Sequence, residues 1–77
     1  MLKANNNISA KGAEICNKRV ESINKKLGRN ALEINNSYGI DDCIEITFDG
    51  ENEYPDASIA EASAYIFGMQ RALGIED

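Results

Sequence analysis

Residues 31–48 read ALEINNSYGIDDCIEITF, and this stretch decides the fold. Apolar and polar side chains alternate in residues 32–37 and again in residues 43–48. Alternation with a period of two is typical of a strand that has one buried and one solvated face. The connection 38–42 is short and contains Gly39, as an antiparallel hairpin requires. We therefore predict a β-hairpin at the centre of the chain.

An amphipathic helix is predicted before the hairpin, over Ser9–Leu27. Ser9 has the side chain of an N-cap, and Gly28 follows the last apolar position, where a glycine commonly ends a helix. Residues 1–8 are predicted to be a flexible lead-in. A 3-4-3-4 spacing places one set of apolar residues on a single side of the helix: Ala13, Cys16, Val20, Ile23 and Leu27.

A second amphipathic helix is predicted after the hairpin. Ser58-Ile59-Ala60-Glu61 has the sequence of a capping box, and Gly74 marks the end of the helix. Gly68 falls in its middle, where glycine costs about 1 kcal/mol relative to alanine, so we expect another element to pack closely there. The apolar stripe again has a 3-4-3-4 spacing: Ile59, Ala62, Ile66, Met69 and Leu73.

These segments predict one α+β domain over residues 1–77 with the order α-β-β-α. Both helical stripes need the single apolar face of the strands, so we expect the two helices to pack on one face of a small antiparallel hairpin sheet. Asp49-Gly50 is a second turn signal, which allows a short third strand at Glu53-Tyr54 before Pro55. A chain of 77 residues has a small core and its sheet has open edges, so we expect a homodimer formed by edge pairing.

Charge is divided sharply along the chain. Residues 1–40 contain seven basic and three acidic side chains, whereas residues 41–77 contain one basic and ten acidic side chains. The formal net charge is −5. Such acidity argues against direct binding of nucleic acid or of an anionic membrane, because phosphate contacts need clustered Lys and Arg. The two separated cysteines and the lack of an apolar span favour reduced thiols and a cytoplasmic location.

The sequence argues against catalysis. It contains no histidine, which removes the commonest general base and the usual activator of Ser and Cys nucleophiles. Its six glycines are too widely spaced for a phosphate-binding loop, and two cysteines alone do not complete a zinc site. We predict no enzyme activity, no cofactor and no metal site.

The candidate binding residues are acidic side chains in predicted turns, together with two tyrosines at loop ends. Tyrosine offers a large, rigid contact area at protein interfaces. Solvated loop charges and tyrosines that only cover hairpin ends are the plainer interpretation of the same pattern. The candidate residues are Tyr38, Asp41, Asp42, Asp49, Glu51, Glu53, Tyr54 and Asp56.

The hairpin with Ser37-Tyr38-Gly39 at its turn, followed by a capped helix that ends in Tyr65-Ile66-Phe67-Gly68-Met69, resembles small orphan proteins of bacteriophages and other mobile elements. The resemblance covers roughly residues 31–73. It implies an inhibitor of host machinery, of the kind that includes anti-CRISPR proteins, some of which present carboxylates where a target expects nucleic-acid phosphates. The basic first helix departs from that pattern.

Our first hypothesis is a non-catalytic inhibitor in the host cytoplasm, whose acidic surface binds a basic surface of a nucleic-acid-binding defence protein. The second is a sponge that sequesters a nucleotide signal at a dimer interface. Its ligand would be held by Lys18, Arg19, Lys25, Arg29 and Tyr38. The third is a structural oligomer.

Overall fold

The first helix, α1, spans Ala10–Leu27, in agreement with the prediction. The structure, a computed structural model, describes residues 1–37 and 43–75. The Ser9 hydroxyl accepts a hydrogen bond from the Gly12 N–H at 2.9 Å and caps the helix. Gly28 ends it with φ +76°, a left-handed conformation that glycine adopts without strain.

Three strands form one antiparallel sheet in the order β1-β2-β3. They are β1 (Leu32–Asn36), β2 (Ile44–Phe48) and β3 (Glu51–Ala57). The predicted hairpin is β1–β2, with Ile34 directly opposite Ile46. The sequence order is therefore α-β-β-β-α, with one full strand more than the predicted α-β-β-α.

The third strand is longer than expected because of its turn and its position. Asp49 and Gly50 have φ values of +51° and +83°, as in a type I′ turn, which joins β2 to β3 with two residues. Pro55 was expected to end the strand, but β3 lies at an edge of the sheet, where a missing N–H is tolerated. Strand β3 therefore continues to Ala57.

The second helix, α2, spans Ile59–Ala72, and the predicted capping box is present. The Glu61 N–H donates to the Ser58 hydroxyl at 3.1 Å, and Oε1 of Glu61 accepts from the Ser58 N–H at 3.1 Å. Both helices pack on one face of the sheet, as predicted. The core joins that face to the two helices and includes Ile23, Leu32, Ile34, Ile44, Ile46, Ala62 and Ile66.

The segment before α1 differs from the predicted flexible lead-in. Leu2 and Ile8 are 3% and 1% exposed and belong to the core. Two asparagine side chains hold the segment, each by one accepted and one donated bond. Asn17 binds both backbone groups of Leu2 at 2.9 Å, and Asn36 binds both backbone groups of Lys3 at 2.8 Å.

Gly68 also differs from expectation. A Cβ atom built on Gly68 meets no atom within 4 Å, so no other part of the described chain packs closely against this position. The glycine is exposed on the outer side of α2. Close packing within one copy of the chain therefore does not explain it.

Candidate protein-binding site on the acidic edge strand

Strand β3 is exposed along nearly its whole length. All six residues of 51–56 are exposed, and only Ala57 is buried. Two irregularities interrupt its pairing with β2: Ile46 pairs with Tyr54, while Phe48 pairs with Glu51 and Ile44 with Ala57. Each interval holds one more residue on β3 than on β2, which is the geometry of a β-bulge. Bulges twist a strand and re-aim its side chains, and β3 presents its acidic side chains along an exposed edge of the sheet.

The acidic side chains of β3 and its preceding turn differ in the contacts that they make with other side chains. Asp49, in the turn before β3, forms an ion pair with Arg29, whose Nη2 lies 2.8 Å from Oδ2. The pKa of Arg29 is raised, first by this hydrogen bond and then by the charge of Asp49. Oδ1 of Asp56 accepts a hydrogen bond from the Ser37 hydroxyl at 2.9 Å. The carboxylates of Glu51 and Glu53 are exposed to solvent.

Two tyrosines form the aromatic part of the site. Tyr54 lies opposite Ile46, so its side chain is on the helix-bearing face of the sheet, where it meets Tyr65 of α2. The ring centroids are 5.7 Å apart and the planes are inclined by 81°, an edge-to-face contact. Tyr54 nevertheless remains 44% exposed. The contact fixes the ring and leaves much of its surface available.

The acidic and aromatic parts of the site interact electrostatically. Partial burial raises the pKa of the Tyr65 hydroxyl, and the charges of Glu53 and of ionised Tyr54 raise it further. Glu53 precedes Tyr54 on β3, so a carboxylate and the tyrosine pair belong to the same part of the exposed edge. We define the acidic strand site as Asp49, Glu51, Glu53, Tyr54, Asp56 and Tyr65.

The structure brings together five of the eight residues predicted for the site, since Asp49, Glu51, Glu53, Tyr54 and Asp56 all lie on β3 or its turn. Tyr38, Asp41 and Asp42 lie outside the described residues. Sequence reasoning missed Tyr65, which is not among the candidate residues. The signal that was available is the capping box at Ser58, because it starts α2 directly after β3 and so folds the helix back beside Tyr54.

The basic residues of the ligand-sponge hypothesis converge only in part. Lys25 lines one shallow cleft of about 450 Å³ with Arg29 and another of about 360 Å³ with Lys18. Both of these partners already bind carboxylates, since Nζ of Lys18 lies 3.2 Å from Oε1 of Glu14 and Arg29 is paired with Asp49. The guanidinium carbon of Arg19 lies 5.7 Å from the centroid of the Phe67 ring of α2, and Tyr38 lies outside the described residues.

Several concave sites lie along α1 and are shallow. A cleft of about 440 Å³ between α1 and β1 is lined by Asn17, Asn24, Leu32 and Ile34, with Glu21 and Glu33 as its charged residues. Its two carboxylates make it unsuited to a phosphate. Within residues 1–37 and 43–75, no group of three or more Cys, Asp or Glu side chains is arranged to hold a metal ion.

Comparison of the chain with protein-family models, with curated proteins and with solved structures finds no match. No helix in the described part of the chain is long and apolar enough to span a membrane.

Proposed function

We propose that this chain is a non-catalytic binding protein whose acidic strand site docks on a basic surface of another protein. The observation that carries the proposal is the exposure of residues 51–56, which present three carboxylates and one tyrosine on a single edge strand. Aromatic anchors bordered by charges are typical of protein-recognition surfaces.

A simpler role for β3 accounts for only part of this arrangement. Charges, proline and bulges are the devices by which edge strands avoid pairing with other strands, and β3 has all three. Edge protection does not require an exposed tyrosine held by a second tyrosine from the neighbouring helix. The tyrosine pair is what favours recognition over protection alone.

The partner that best fits this chemistry is a protein that otherwise binds nucleic acid. Such proteins carry clustered Lys and Arg for phosphate contacts, and the carboxylates along β3 can form ion pairs with those side chains. The resemblance to mobile-element proteins favours a defence protein of a bacterial host as the target, which would place the inhibitor in the host cytoplasm.

Affinity capture with charge-matched variants tests the proposal. The tagged chain is incubated with host proteins that were first retained on heparin, a polyanion that selects basic surfaces. The test variant carries Glu51→Gln and Glu53→Gln. The control carries Glu14→Gln and Glu21→Gln, two exposed acids of α1, so both variants lose the same charge.

The proposal predicts that the wild-type chain and the control retain the same host protein, and that the test variant loses it. Equal retention by all three chains, or retention of none, would contradict a binding role for β3. Circular dichroism of each variant confirms that a lost interaction does not reflect a lost fold.

A further inference from the structure

The outer face of α2 is unusually apolar for a surface helix. Its 14 residues include only two charged side chains, Glu61 and Arg71. A helix that faces solvent on one side normally carries charged and polar residues there. The exposed residues of α2, which we name the α2 outer face, are Ala60, Glu61, Ala64, Phe67, Gly68, Arg71 and Ala72.

Phe67 adds a large, exposed aromatic side chain to the small residues of this face. Its side chain is 45% exposed and is held between two cations, because the guanidinium carbons of Arg19 and Arg71 lie 5.7 and 5.9 Å from the ring centroid. Ile15, 42% exposed, lies one turn before Arg19 on the same side of α1 and borders the same surface. The face therefore combines large apolar groups with open space above Gly68.

Both edges of the sheet oppose the edge-paired dimer that the sequence favours. Strand β3 carries bulges, a proline and charges. At β1, the outward backbone groups of Leu32 are bound by the Asn24 side chain, and Asn36 holds Lys3 alongside the strand. The α2 outer face is therefore more accessible to a second copy of the chain than either edge strand of the sheet.

We infer that the α2 outer face binds the same face of a second copy, with the two helices antiparallel. Charge complementarity supports this occupant and this direction. Glu61 lies in the first turn and Arg71 in the last, so antiparallel helices bring the acidic end of each beside the basic end of the other. Ala64 then faces Gly68 of the other copy, and small residues at that crossing allow the backbones to approach closely.

Sedimentation equilibrium of the full chain tests the inference over a range of concentrations. The wild-type chain is expected to approach twice its 8.4 kDa mass as concentration rises. Ala64→Glu places a charge in the contact and is expected to weaken dimerisation at least tenfold. Ala10→Glu makes the same change at an exposed alanine of α1 beside Leu2, away from α2, and is expected to leave dimerisation unchanged.

A charge reversal at Arg71 tests the antiparallel direction, because Glu61 also forms the capping box of α2 and its substitution would remove that cap. Arg71→Glu places a carboxylate beside Glu61 of the other copy and is expected to weaken the dimer, whereas Arg71→Lys keeps the charge and is expected to retain it. A wild-type chain that stays monomeric, an Ala64→Glu variant that still dimerises fully, or an Arg71→Glu variant that dimerises as well as Arg71→Lys would overturn the inference. None of these outcomes bears on the acidic strand site, which lies on β3 and is tested by capture.

Discussion

At the scale of single residues, asparagine side chains hold together parts of the backbone that no strand or helix satisfies. Oδ1 of Asn24 accepts bonds from the N–H groups of Ala31 and Leu32 at 3.1 and 2.8 Å, and its Nδ2 donates to the Leu32 carbonyl at 2.9 Å. One side chain thus joins the end of α1 to the first residue of β1. The site depends on this junction, because β1 pairs with β2, which in turn pairs with β3.

Substitution of Asn24 is expected to be costly. Asn24→Ala removes the partner of both Leu32 backbone groups, whereas the Ala31 N–H keeps its hydrogen bond to the Arg29 carbonyl at 3.0 Å. Each unsatisfied group costs about 1–3 kcal/mol. Since water reaches part of this region, we expect a loss of about 2–3 kcal/mol in the free energy of unfolding, measured by urea denaturation. Asn30→Ala, at an exposed neighbouring position, is the control and is expected to change it by less than about 0.5 kcal/mol. Equal small effects of the two substitutions would contradict the role of Asn24.

Tyr65 gives the site a dependence on alkaline pH. Its pKa is raised in the folded chain, so the unfolded chain ionises first as pH rises. The stabilising contribution is complete below the unfolded pKa of about 10 and is lost as pH rises through and above that value. In phenolate absorbance, the transition that Tyr65→Phe removes is expected to lie above about pH 10, and Glu53→Gln is expected to lower its midpoint. A removed transition at or below about pH 10 would refute the assignment.

Little of this residue-scale detail could be predicted from the sequence. Asn17 and Asn24 occur among polar helix positions, and nothing in their spacing reveals that they bind backbone 15 and 8 residues away. The burial of Leu2 was missed for the same reason, since it depends on those contacts. The acidic residues of β3, by contrast, were identifiable because composition alone marks the region as strongly charged.

At the scale of elements, the helices were predictable because their signals are local. Each N-cap directly precedes the helix that it starts, and each apolar stripe runs along its own helix, with Leu73 as the C-cap of α2. The third strand was underestimated because the tolerance of Pro55 depends on whether β3 is an edge strand. The position of a strand within its sheet is not a local property.

Two glycines are expected to respond oppositely to alanine. Gly68 has helical geometry and open space, so Gly68→Ala is expected to raise the free energy of unfolding by about 0.5–1 kcal/mol in the monomer. Gly50 has φ +83°, which a Cβ disfavours, so Gly50→Ala is expected to lower it by about 1–2 kcal/mol. Urea denaturation at low protein concentration measures both. Shifts of the same sign would contradict the assigned backbone roles.

At the scale of the whole molecule, the fold separates charge in space as well as in sequence. Basic residues are spread along α1, while β3 gathers the acids on the opposite edge strand of the sheet from the edge that α1 covers. Arg29 crosses this division through its ion pair with Asp49. The asymmetric field favours approach of a basic partner to the β3 side.

The acids at the centre of the site are expected to contribute to binding and not to folding. Glu51→Gln with Glu53→Gln is expected to change the free energy of unfolding by less than about 0.5 kcal/mol, since both side chains are exposed. Thermal or urea denaturation checks this, and a larger loss would mean that the two carboxylates are structural.

We propose that the acidic strand site binds its partner protein on the same surface with which that partner binds nucleic acid. The most direct measurement is the affinity of the wild-type chain for the captured host protein, titrated with a DNA duplex and repeated at low and high salt. We expect the duplex to displace the chain, salt to weaken the complex, and Glu51→Gln with Glu53→Gln to weaken it at least tenfold, about 1.4 kcal/mol. A ternary complex of chain, host protein and duplex, with an affinity that salt does not change, would contradict the account.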